Sequence, residues 1–264
     1  MTIPQIFEAA GLGLAAGVVG GMAGIGGSLI MLPGLALLLG YHDAAHSEQH
    51  VYMAAAMAVN VMVASPATLR HARAGAVRID LVRVLMPAMI VAIIVGVLIS
   101  NRVSGGLLKL LLAAFIAAYC AWNIQRLVRS KPDRETGGTA SMPVVAGIGA
   151  GAGFAGGLLG IGGGAVVVPA LQLLARVPLR QALGTSNAAM VGSALVGALL
   201  KFTTLSQHGR SWTEAALLAG AMAPGAILGG TAGATLAQTL PIRMVRLVVS
   251  ILLLLVAARL VLLR

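Results

Sequence analysis

Residues 6–40 are apolar throughout, too long a run for one membrane-crossing helix of about 20 residues, and the run is interrupted by Gly20-Gly21-Met22-Ala23-Gly24-Ile25-Gly26-Gly27-Ser28. Inside a helix, glycine costs about 1 kcal/mol relative to alanine. A cluster this dense therefore marks a place where the backbone stops continuing a helix. The cluster occurs twice. Gly156-Gly157-Leu158-Leu159-Gly160-Ile161-Gly162-Gly163-Gly164 repeats it 136 residues later, and seven of the fourteen positions counted to Pro33 and Pro169 are identical. The expectation is a pair of helix breaks at membrane depth that face each other.

Composition fixes the solvent. Hydrophobic residues make up 59% of the 264 and charged residues 9%, with a mean hydropathy of +0.97, whereas a soluble domain carries roughly 25% charged residues. Such a chain cannot cover a water-facing surface, so the fold class is an all-α integral membrane protein whose macromolecular surrounding is the lipid bilayer. The formal charge of +11 would suit nucleic acid. Aromatics at 3% leave no platform for stacked bases, however, and basic residues that flank spans follow the positive-inside rule; no nucleic-acid partner is expected. Residues 1–10 hold no Lys or Arg and so lack the basic region of a cleaved signal peptide, which predicts a retained first span. Cys120 is the one cysteine, so no disulfide can form within the chain.

The hydropathy pattern predicts segments at 5–23, 28–40, 51–69, 83–100 and 106–127, with a short polar loop over 42–50. After a polar linker at 129–141, further segments fall at 143–160, 164–175, 183–202, 213–236 and 243–263. The halves resemble each other beyond the glycines: His71 matches His208, Pro87 matches Pro224, and Gly96 matches Gly233 at a common spacing. This is the signature of a repeat-built transporter. The predicted organisation is a first transmembrane repeat over 1–128, a cytoplasmic linker over 129–142 and a second, inverted repeat over 143–264, with 8–10 segments in all. Five segments per repeat is odd, so the second copy should insert upside down. With both termini outside, the connections 70–83, 126–142, 176–182 and 237–246 lie inside and carry twelve of the eighteen Lys and Arg. That bias supports an inverted repeat in the cell (inner) membrane. A 4+4 count, taking each broken region as one span, is the competing topology.

A broken helix exposes several backbone N–H groups at the start of the next half-helix, together with the positive end of its dipole, and glycine lets an anion approach closely. Gly26, Gly27 and Ser28 against Gly162, Gly163 and Gly164 are therefore the candidate substrate-binding set. The outer glycines, Gly13, Gly17, Gly21, Gly149, Gly153 and Gly157, are spaced for close helix packing. Thr185, Ser186 and Asn187 form a polar triplet within a span, where polar groups are expensive and tend to be functional; the matching positions of the first half, from Tyr52 to Ala54, are less polar. Asn60, Ser65, Gln172, Ser193 and Lys201 are lone polar positions. The hydroxyls are expected to bond back to their own helices, and Lys201 to snorkel to the interface. Acids are scarce inside the spans, which argues against a permeant cation. Gly160 to Ala165 fits a loose dinucleotide pattern, but no acidic residue lies between Glu135 and Glu214 to hold a ribose. No cofactor is predicted. On a helix His42, His46 and His50 would share one face, a conceivable metal site, but a solvated loop that happens to hold histidines is the expected reading.

These residues resemble a known family. The twin Gly-Gly-x-x-Gly-Ile-Gly-Gly motifs, each with a proline shortly after, are similar to those of the sulfite exporter TauE/SafE family of membrane transporters. So are Leu183-Gly184-Thr185-Ser186-Asn187 and the His71-Ala-Arg-Ala-Gly75-Ala-Val77 loop. The resemblance implies a secondary transporter of a small sulfur-containing anion, such as sulfite, sulfoacetate or another organosulfonate. It implies substrate contacts at the glycine motifs and at Thr185 to Asn187. The alternative is a carrier of a transition metal or other small solute that uses His42, His46 and His50. No nucleophile–base pairing within the spans suggests an enzyme.

Overall fold

The structure, a computed structural model, describes residues 3–128 and 140–239. Within them the chain forms α1 (Ile3–Ala23), α2 (Ser28–Leu39), α3 (Glu48–Arg73), α4 (Ile79–Ser100), α5 (Gly105–Val128), α6 (Met142–Leu159), α7 (Gly164–Leu173), α8 (Leu179–Thr204), a single 3-10 turn (Leu205–His208) and α9 (Trp212–Thr239). Helices follow from the solvent, because lipid offers backbone N–H and C=O groups no partner outside the chain. Seven are long and apolar enough to cross a membrane. The segment expected at 243–263, and most of the 129–141 linker, lie outside the described residues.

At about 1.5 Å per residue, the 12 residues of α2 and the 10 of α7 reach only about half of a 30 Å hydrocarbon core. Each folds back on the helix before it. A Cβ on Gly34 would stand 2.4 Å from the Leu12 side chain, and one on Gly27 would stand 3.1 Å from the Ala16 carbonyl oxygen; in the second hairpin a Cβ on Gly163 would stand 2.7 Å from the Ala152 oxygen. Pro33 and Pro169 do not end these half-helices but lie inside them.

The outer glycines are packing residues. A Cβ on Gly13, Gly17 or Gly21 would fall 2.2, 2.6 and 2.4 Å from the carbonyl oxygens of Met222, Ala226 and Gly230 in α9. In the same register, Gly149, Gly153 and Gly157 of α6 meet the carbonyl oxygens of Leu85, Met89 and Ile93 in α4 at 2.7, 2.3 and 2.4 Å. Without side chains between them the backbones of each pair come together, the small-residue packing that substitutes for a hydrophobic driving force in lipid. Numbering rises together in both pairs, so α1 runs with α9 and α6 runs with α4. Helix α3, the most enclosed of the seven long helices, packs on α8 between these two pairs.

The connections gather at two ends. Arg210, just before α9, bonds Asp43 and Ser47, and Lys201 of α8 bonds His50 and Asn101. At the other end the α3–α4 connection meets α8, where the Arg78 N–H donates to Thr185 Oγ1 at 3.0 Å. We refer to these as the 40–47 end and the 74–78 end.

Candidate substrate site at the paired helix breaks

The two breaks need glycine for a local reason. Gly24 and Gly26 have φ of 67° and 73°, and Gly160 and Gly162 have 78° and 72°, a left-handed region that side chains rarely adopt. The two copies share this geometry at equivalent positions, then part. Gly163 is left-handed at 86° whereas Gly27 sits at −83°.

The breaks touch one another and share a lining. A Cβ on Gly164 would lie 2.8 Å from the Gly24 carbonyl oxygen, and Gly26 and Gly162 both face Asn60 and Met190. Asn60 and Met190 lie near the middles of α3 and α8, which puts the breaks halfway between the two ends.

Asn60, a lone polar position in its span, is the residue that joins the two breaks. Its Oδ1 accepts from the Gly27 N–H at 2.8 Å and the Ser28 N–H at 3.2 Å, so it caps the N-terminus of α2. Its Nδ2 donates to Ser28 Oγ and, at 3.4 Å, to the Ile161 carbonyl of the opposite break. One amide therefore bridges both breaks while fully buried. The signal available in the sequence was an asparagine at mid-span, where an unpaired amide is expensive; what it pairs with was not readable. The second copy has no such group. Gly163 gives α7 no side-chain cap, and Ser193, the equivalent of Asn60 by the alignment of the halves, bonds back to the Ala189 and Met190 carbonyls of its own helix at 3.3 and 3.4 Å.

The polar triplet divides its work. Ser186 Oγ donates to the Gly24 carbonyl at 2.7 Å. Asn187 Nδ2 bonds its own helix at Leu183, leaving its Oδ1 buried without a partner. Leu183 packs on Gly24 and Met190 on Gly26, so Asn187 lies on the α8 face that meets the breaks. Thr185 is drawn instead to the Arg78 N–H and contributes to closing the 74–78 end. Gly163 backs onto Ala152 and Met89. The hydroxyl back-bonds hold for Ser65 as well, to Val61 at 2.7 Å, while Gln172 is half-buried near the far end of α7. Among the described residues the groups at the breaks are neutral: backbone N–H, amide and hydroxyl. Such a set can bind an anion by hydrogen bonds and helix-end dipoles without a counter-charge.

One expectation needs correction. Lys201 does not snorkel. It is fully buried and donates to His50 Nδ1, Ser100 Oγ and Asn101 Oδ1 at 2.9, 2.9 and 2.7 Å, because the turn after α8 covers it where a lipid interface was expected. His42 and His46 lie in the connection before α3, as the loop reading expects, so the three histidines share no helix face. α3 begins at Glu48, so only His50 is helical; His42 is exposed, and His46 bonds the Ala44 carbonyl from a left-handed position (φ 52°). Among the described residues no group of three or more His, Cys, Asp or Glu could hold a metal ion.

The family model described as "Sulfite exporter TauE/SafE" matches residues 9–260. The chain is 26% identical to the "Probable membrane transporter protein MamO" of Paramagnetospirillum magneticum, over 89% of this chain and 41% of that protein. It is 25% identical to the protein of the same name in Magnetospirillum gryphiswaldense, over 93% and 43%. A third relative, the "Probable membrane transporter protein YunE" of Bacillus subtilis, is 35% identical over 41% of this chain and 37% of its own. The chain thus spans about two fifths of the length of the curated relatives it matches. No solved structure matches it. A multi-pass bundle built on two matched glycine breaks, together with a family model that covers nearly the whole chain, makes this protein a member of the TauE/SafE family of membrane transporters.

Proposed function

We propose that the protein is a secondary transporter of a small sulfur-containing anion, such as sulfite, sulfoacetate or another organosulfonate. Transport proceeds by alternating access around the two breaks. The observation that carries the reading is the capping of α2: the Asn60 carbonyl oxygen occupies the Gly27 and Ser28 N–H groups, the place an anion's oxygen would take. Rotating the Asn60 side chain frees those donors and turns its NH2 group toward the ligand. Gly26, Gly27 and Ser28 form one wall, Gly162, Gly163 and Gly164 the other, Ser186 and Asn187 line the α8 side, and Thr185 holds the closed 74–78 end. The organisation that suits this mechanism is two inverted repeats, 1–128 and 143–264, joined by a cytoplasmic linker. Its support is the equivalence of the α1–α9 and α6–α4 pairs, whose glycines meet carbonyls in the same register while α4 and α9 run in opposite directions between the two ends. The distribution of basic residues along the sequence supports both termini lying outside the cell membrane.

The test is uptake of radiolabelled sulfite and sulfoacetate into proteoliposomes by the wild type, Ser28→Ala and Asn60→Asp. A carboxylate at position 60 would occupy the helix-end donors permanently and repel an anion, so Asn60→Asp should abolish uptake and Ser28→Ala should weaken it. A wild type that moves neither anion, or an Asn60→Asp protein with full uptake, refutes the reading.

A further inference from the structure

The transport reading makes no use of Lys201, the bulkiest fully buried side chain among the described residues. It lies within a turn of the end of α8 and joins three elements at the 40–47 end: His50 in the first turn of α3, Ser100 at the end of α4, and Asn101 in the connection that follows. Among the described residues no carboxylate comes within ion-pair distance of it. Of the other titratable groups at this end, Tyr41 donates to Gln49 and lies under Lys109, and Tyr52 donates to the Gly40 carbonyl. His50 stacks on His208, with ring centroids 3.6 Å apart and planes 9° apart. Asp43, Glu48 and Glu214 are engaged by Arg210, and Arg102 is exposed.

The hydrogens around Lys201 can be assigned. The Ser100 hydroxyl gives its proton to the Val97 carbonyl at 2.8 Å, so its oxygen can only accept from Lys201. An ammonium has donors only, so His50 Nδ1 accepts from it in the tautomer that carries its proton on Nε2. The third partner is an amide, which can face Lys201 with either its oxygen or its NH2 group. With the oxygen inward, an ammonium satisfies three acceptors and Asn101 Nδ2 is left buried without a partner. With the amide turned over, a neutral amine donates to His50 and Ser100, and its lone pair accepts from Asn101 Nδ2. The enclosure therefore holds Lys201 in either protonation state, but three neutral acceptors do not replace the hydration of a full charge. Water reaching the site when α8 parts from α3 and α4 would.

We propose that Lys201 is a proton-binding gate: a proton taken onto its amine from the 40–47 side favours the opening of that end, and loss of the proton to water favours its closure. The gate operates whatever solute the carrier moves.

The test places a thiol beneath the gate with Ala198→Cys, a buried position packed against Met57, Ile93 and Val97, in a Cys120→Ala background. Alkylation by a soluble maleimide is measured in purified protein at about pH 6 and about pH 9, either side of neutral, where a thiol can still be labelled. Dividing each rate by that of the same protein carrying Lys201→Gln cancels the thiol's own ionisation. The ratio should rise about tenfold as the pH falls across this range. Asn101→Asp, which places a carboxylate on the ammonium and keeps it charged and closed, should label slowly at both pH values relative to the protein with Asn101. That comparison decides the matter if Lys201→Gln does not fold. A ratio that is flat or rises with pH, or an Asn101→Asp protein that labels as fast as its parent, overturns the gate. No substrate is present, so failure of sulfur-anion uptake would overturn the transport reading and leave this result standing.

Discussion

Asn60→Ala is the substitution that weighs most on the fold. It removes the acceptor of two buried backbone donors, Gly27 N–H and Ser28 N–H, and the donor to Ser28 Oγ and the Ile161 carbonyl. The 3.4 Å contact to Ile161 is weak and the Ser28 hydroxyl can turn elsewhere, so the two orphaned N–H groups decide the magnitude. Each buried, unsatisfied group costs about 1–3 kcal/mol, which puts the loss at about 2–6 kcal/mol and the fall in Tm at about 5–15 °C for a chain of this size. Cys120 supplies the assay. It is buried and is the only cysteine, so a thiol-reactive dye reports the opening of the fold in detergent as the temperature rises. Ser193→Ala is the matched control, because its hydroxyl bonds only its own helix; its Tm should stay within about 2 °C of the wild type. An Asn60→Ala protein that melts with the wild type would show that the cap does not hold the breaks together.

Gly21→Ala and Gly157→Ala should each destabilise by about 1–3 kcal/mol in the same dye assay, because the added Cβ would lie 2.4 Å from a carbonyl oxygen of α9 or α4 and the helices must part. Gly11→Ala and Gly147→Ala meet nothing within 4 Å and should be neutral or stabilise by up to about 1 kcal/mol; equal effects in the two pairs would refute the close-packing account. Asp43 predicts a pH response at the 40–47 end. Hydrogen bonds from the Ser47 hydroxyl and backbone N–H, and then the Arg210 guanidinium, hold its carboxyl well below the usual range. A depressed folded-state pKa contributes stability above the unfolded value of about 3.9 that is lost as pH falls through the folded one. Emission from Trp212, two residues from Arg210, should therefore stay constant down to about pH 4 in a Trp122→Phe background and change only at lower pH. Asp43→Asn should show the altered emission throughout, and a wild-type transition centred at an ordinary carboxylate value would count against the network.

How much the sequence disclosed depends on how local each cause is. A left-handed backbone at Gly24, Gly26, Gly160 and Gly162 is a property of the residues themselves, so the breaks were legible as glycine clusters. The spans were legible because lipid leaves an apolar chain little but helix. The outer glycines announced close packing by their spacing, and the structure supplied their partners, α9 for α1 and α4 for α6. Pairings between distant segments were not legible. Asn60 meets Gly27 across 33 residues, Thr185 meets Arg78 across 107 and Lys201 meets His50 across 151; no periodicity encodes which polar group finds which partner. Lys201 marks the difference most sharply. Sequence placed a lysine near the end of a span, where snorkelling leaves the charge in water, and only the packing of α3, the α4 end and the turn after α8 decided that it is enclosed, because burial belongs to the neighbours and not to the residue.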